Sequence, residues 1–212
     1  MNRAAGAGPP ADRPYGSAVG EPPLLADPRR WGSLIGLAGA MTFIASYSSA
    51  LGPVVSAVSW MAGAVGVSTA LYFQYIRPVG LGPLARPRLL ALATYCACVG
   101  AEVALIAVGS RILTGTGHNA LRPALIATVV GLHFLPFAWA FGERMFLYLG
   151  GAVTVLGAAG LIAGAAGPPQ AADAAAVAAG LTMLLIITIY ARGRFAPDAS
   201  PSNDRTSAAP TP

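Results

Sequence analysis

The sequence predicts an all-α, polytopic membrane bundle of six transmembrane helices arranged as three hairpins. Three observations predict it. Of 212 residues, 55% are apolar and only 10% charged, against about a quarter charged in an ordinary soluble domain. Mean hydropathy is +0.63. The few charges gather in the two tails and short loops, which leaves long uncharged stretches between them. In hydrocarbon only helices or closed barrels satisfy their backbone groups. A barrel would show alternating segments of about 10 residues, whereas these stretches are continuously apolar.

Residues 1–30 are rich in Pro, Gly and Ala and hold no apolar run of the kind a signal peptide needs. They are expected to form a disordered tail, as are residues 195–212, with the transmembrane domain over 31–194. From Trp31 to Ile76 no residue is charged. That is too long for one crossing of about 20 residues, and Gly52-Pro53 breaks it as a turn would. The first two spans are therefore about 32–51 and 54–76. A loop with Arg77, Arg86 and Arg88 among Pro78, Pro83 and Pro87 follows. The third span, about 89–110, is closed by Arg111, and the fourth, about 123–141, follows a polar turn. Glu143-Arg144 is a very short loop before the fifth span, about 145–166. Gly167-Pro168-Pro169-Gln170 is the last turn before the sixth, about 172–191. Asp173 lies in the first turn of that helix, where a negative charge suits the helix dipole.

Arginine placement sets the expected orientation. There is no lysine; all thirteen basic residues are arginine. This codon-driven bias, with the heavy use of Ala, Gly and Pro, points to a GC-rich bacterial genome. With six spans, both tails and the loops after spans two and four share one side. Eleven arginines fall there and only Arg111 and Arg122 on the other. The positive-inside rule makes the arginine-rich side cytoplasmic, so a bacterial plasma membrane with both termini cytoplasmic is expected. The scattered arginines form no basic face interleaved with aromatics, which argues against nucleic acid as a partner. The bilayer is the expected partner.

Glu102 is the most informative residue. It lies nine residues from Arg111 and so about 13 Å below the boundary at 1.5 Å per residue. A carboxylate at that depth costs about 2.5 kcal/mol or more, so it should be protonated, face the interior or have a partner. His133, eleven residues from Arg122, lies about 16 Å below the same boundary. The short connection between spans three and four makes a Glu102–His133 contact the expected pairing. Pro136, three residues on, cannot donate to the Leu132 carbonyl and should bend the helix. Thr42, Ser59 and Trp60 fall at comparable depth on the first two spans and are candidates to line the same polar pocket. Two readings of this site stay open: a transporter-like site handling protons or cations, or a buried contact that fixes helix packing in a membrane-embedded interaction or sensor protein.

Other chemistries find little support. No Ser/His/Asp set, HExxH, GxSxG or phosphate loop occurs, and no enzyme activity is expected. Cys96 and Cys98 point about 200° apart on a helix, and no cofactor or metal spacing is present. Gly160 to Gly164 is a GxxxG pattern, with Gly150, Gly151 and Gly157 on the same helix, and Gly32 to Gly36 is another. Such small residues let helices approach closely in lipid, within one bundle or between copies in a homo-oligomer. The stretch Gly131-Leu-His-Phe-Leu-Pro-Phe137, followed by Phe141, Arg144 and Tyr148-Leu-Gly150, resembles small bacterial multi-pass membrane proteins of unknown function that carry a GLHFLP-like motif. The likeness covers spans four and five. It implies no activity, and marks His133 and Pro136 as a characteristic element.

Overall fold

The computed structural model describes residues 23–81, 89–168 and 170–195. The expected tails at 1–22 and 196–212, and the arginines and prolines of 82–88, lie outside these residues. Six long helices follow in order: α1 (Pro28–Tyr47), α2 (Pro53–Leu71), α3 (Leu89–Gly115), α4 (Arg122–Phe141), α5 (Arg144–Ala166) and α6 (Gln170–Ala191). With their terminal turns, all six are long and apolar enough to cross a membrane. Large apolar side chains such as Ile35, Val65, Val103, Val155 and Ile162 point outward, as a lipid-facing surface requires. The chain is a multi-pass membrane protein.

Several boundaries differ from expectation by a few residues, two of them for an evident reason. Helix α1 begins at Pro28, inside the stretch expected to be tail, because the Asp27 side chain accepts from the Arg29 backbone N–H at 2.9 Å and Pro28 takes the first helical position. Helix α3 runs past Arg111 to Gly115. A single arginine near a helix end does not stop a helix, since its long side chain reaches the interface. At Gly142 the connection from α4 to α5 turns through φ +66, a left-handed conformation that glycine adopts without steric cost. This lets so short a loop reverse the chain.

The hub is α6. Half of its most apolar stretch is buried, whereas none of the corresponding stretch of α3 is. The first half of α6 is nearly all Ala and Gly, so neighbours come close: a Cβ on Gly180 would sit 2.7 Å from the Ala40 carbonyl oxygen of α1. Helices α1, α2, α4 and α5 all pack on α6, and α3 packs on α4 alone among the long helices with substantial contact. Of the three expected hairpins, α3 packs on α4 and α5 on α6, whereas α1 and α2 meet only weakly. α1 packs on α6 more than on α2, and α4 meets α5 far more extensively than α3. The large outward-facing residues of α2, among them Val58, Trp60 and Met61, leave it little surface for α1.

One end of the bundle gathers the start of α1, the end of α2, the α4–α5 turn and the end of α6. Among the described residues it holds Arg29, Arg30, Arg77, Arg144, Arg192 and Arg194. The opposite end holds Arg111 and Arg122.

Candidate functional site

The α3–α4 seam is built in layers seven residues apart on α3. Two helical turns take about seven residues, so Tyr95, Glu102 and Gly109 project in one stripe. The Tyr95 ring stacks on Phe137 with centroids 5.5 Å apart. At the other limit α4 closes on Gly109, where a Cβ would lie 2.7 Å from a methyl of Leu125. Between them, His133 Nδ1 lies 3.5 Å from Glu102 Oε2. Both side chains are mostly buried, with 13% and 19% exposed. The separation exceeds that of a good hydrogen bond, and Nδ1, which is also within reach of the Val130 carbonyl, makes none of good geometry.

The surroundings of this pair are aromatic. Phe137 meets the His133 ring edge-on at 5.3 Å and Phe134 lies against it at 4.1 Å. Pro136 sits inside α4, which continues through it to Phe141; its ring removes the N–H that the Leu132 carbonyl would otherwise accept from.

The structure does not bring Thr42, Ser59 or Trp60 to this pair. Thr42 is exposed on α1 and donates to the Ala38 carbonyl at 2.9 Å. Ser59, buried on α2, donates to Val55 at 2.8 Å. Trp60 is 47% exposed on the outer surface of α2. A comparable depth along the helices does not bring them together, because neither α1 nor α2 packs substantially on α3. The serines at the end of α1 serve the turn instead, with Ser48 Oγ and Ser56 Oγ 3.0 Å apart. Cys96 and Cys98 are both free thiols on α3. Among the described residues no three His, Cys, Asp or Glu side chains converge in a way that could hold a metal ion.

A second polar cluster, at the arginine-rich end, was not anticipated. Asp27 is fully buried, and Arg29 clamps it with Nε and a terminal nitrogen at 3.1 and 3.0 Å. The same guanidinium donates to the Leu81 carbonyl at 3.1 Å and lies 3.9 Å from Glu143. Arg30, also buried, donates to the carbonyls of Gln74 and Val79. These two arginines thereby tie the segment after α2 to the start of α1. Gln74 sits in a π-helical turn over Tyr72–Ile76, buried, with neither amide atom hydrogen-bonded. The Asp27-Pro28 pair, an N-cap before proline, was the available signal in the sequence.

Glu143 lies between the membrane segments. Burial pushes its carboxyl above the usual 4.5, and the Arg29 charge and the Tyr190 hydroxyl pull it part of the way back. The folded state therefore holds this proton more tightly than the unfolded chain. The resulting stabilisation is complete below the ordinary value and fades as pH rises through the raised one. Glu143→Gln should flatten that portion of the stability curve. Thermal midpoints of the detergent-solubilised protein across roughly pH 4 to 8 would measure it; an unchanged slope in the variant would contradict it.

No curated protein and no solved structure matches the chain. Residues 89–192, from the first residue of α3 to the residue after α6 and so including Glu102, His133 and Pro136, match one family. Over just under half of its length, the chain is thus similar to a family of unknown function (DUF7010).

Proposed function

We propose that the protein is a non-enzymatic, proton-responsive membrane protein in which Glu102 and His133 form a latch between α3 and the rest of the bundle. The observation that carries this reading is the 3.5 Å approach of the two groups, one of them on α3, which among the described residues packs substantially on α4 alone of the long helices. An ionised carboxylate in hydrocarbon costs about 2.5–3.5 kcal/mol on insertion scales. Sharing a proton with an imidazole offsets that cost only while α3 stays docked. Changing the number of protons on the pair from one to two or none leaves an unbalanced charge and weakens the seam. Docking of α3 would then report pH to whatever binds its outer face. The arginine-rich end of the bundle is taken as cytoplasmic, in a bacterial plasma membrane.

The test is a distance. Spin labels at Leu105 on α3 and Ile162 on α5, both exposed, are attached in a background where Cys96 and Cys98 are alanine. In lipid nanodiscs the distance distribution should shift with pH, and Glu102→Gln and His133→Gln should each remove the shift. A distribution independent of pH, or a Glu102→Gln variant that still titrates as the parent does, would end this reading.

A transporter-like role is the second reading. It is favoured by the groove between α3 and α4 that descends from Arg111 and Arg122 to Val103, the neighbour of Glu102. Proton-coupled movement would need that groove to open onto the pair. Proteoliposomes carrying the protein would then acidify under an imposed gradient, and Glu102→Gln would abolish the response.

A further inference from the structure

The α3–α4 groove has a chemistry that the latch does not use. Its cavity is about 710 Å³. On the α3 side, Val103, Ile106, Ala107 and Ser110 follow one another at helical spacing, and Arg111, Thr114, Gly115 and Arg122 line the rest of the groove. Among the described residues neither arginine has an ion-pair partner. The Ser110 side chain is more than nine-tenths buried, and its hydroxyl oxygen has no hydrogen-bond partner. A buried polar atom is ordinarily satisfied, so an orphaned hydroxyl in a groove that two arginines also line points to a ligand oxygen.

The depth of the lining identifies that ligand. Arg111 marks the headgroup level, and Val103 lies about 12 Å deeper at 1.5 Å per residue. A small inorganic anion would occupy the cationic mouth and leave the apolar length empty. A phospholipid fills both parts, with its phosphate on the guanidinium groups, which favour bidentate phosphate contacts, and an acyl chain along Val103, Ile106 and Ala107. We propose that this groove is a binding site for an anionic phospholipid, with Arg111, Arg122 and the Ser110 hydroxyl on its phosphate.

Native mass spectrometry of the full chain, released from nanodiscs of mixed phosphatidylglycerol and phosphatidylcholine, tests the assignment. The parent should retain one phosphatidylglycerol in preference to phosphatidylcholine. The double variant Arg111→Gln/Arg122→Gln should lose about tenfold or more in retention, the scale of two charge-assisted hydrogen bonds. Ser110→Ala should lose a few-fold. Arg144→Gln, an exposed arginine at the opposite end, should change nothing. Equal retention of the two lipids overturns the proposal, as does an equal loss in Arg144→Gln or no loss in the double variant. Displacement of the lipid by millimolar inorganic phosphate would instead make the mouth a free-anion site, and would overturn it too.

Discussion

Gly131→Ala should destabilise the bundle by about 3 kcal/mol or more, at or beyond the upper end of what overpacking a tight core costs. A Cβ at Gly131 on α4 would lie 2.3 Å from the Thr154 backbone nitrogen of α5, and one at Gly157 on α5 would lie 2.4 Å from the Thr128 nitrogen of α4. The two glycines make reciprocal backbone contacts, each seating the other helix. Where a flexible side chain blocks a new methyl, it can rotate away. Here the obstacle is backbone, so α4 and α5 would have to separate along their length. That separation would also disturb Gly150, which approaches the Gly131 carbonyl within 2.8 Å of its absent Cβ. Gly151→Ala is the internal control. It lies one residue from Gly150 on the same helix and meets nothing within 4 Å. Thermal midpoints in detergent should fall sharply for Gly131→Ala and Gly157→Ala and stay put for Gly151→Ala. Similar midpoints for all three would show that the α4–α5 contact is looser than described.

Asp27→Ala should cost about 3–5 kcal/mol, the range for removing one partner of a buried ion pair. Two losses combine. The substitution removes the N-cap of α1, worth about 1 kcal/mol. It also strips the carboxylate from Arg29, whose side chain is only 9% exposed. The guanidinium would lose its closest carboxylate, and Glu143 at 3.9 Å is a more distant counter-charge. Asp27→Asn separates the two effects. The amide oxygen can still cap the helix, so only the charge term should remain. Both variants should also loosen the segment that follows α2, which Arg29 and Arg30 hold through the carbonyls of Leu81, Val79 and Gln74. Hydrogen exchange over residues 76–81 would report that directly. Unchanged protection there would show that the arginines are passengers and not ties.

Much of the α3–α4 seam could be read from the chain because one helical parameter governs it. A fixed rise per residue put Glu102 and His133 within about 3 Å of the same depth, and a short connection makes α3 and α4 neighbours. The same ruler failed for Thr42, Ser59 and Trp60. It measures depth and says nothing about which helices meet or which way a side chain points. The arginine-rich cluster escaped for a different reason. Asp27, Arg29 and Arg30 stand at the edge of a Pro- and Gly-rich stretch, where the sequence pattern reads as tail. The carbonyls that the two arginines bind are 44 to 52 residues away, and backbone groups leave no mark in a side-chain pattern.

The sequence by itself determined the six spans, their order and the shared end of the bundle on which the arginines collect. Solvation by hydrocarbon is a local demand: each stretch of about 20 uncharged residues must close its own backbone hydrogen bonds, whatever its neighbours do. The tertiary structure alone decided that α6 is the hub, that α1 turns to α6 and not to α2, and that Gly131 and Gly157 are contact points whereas Gly151 faces open space. These helices are apolar on every side, and lipid chains are as apolar as a leucine, so no stripe of hydrophobic residues tells the inner face from the outer. Close packing makes that choice, through small residues whose partners lie on other helices.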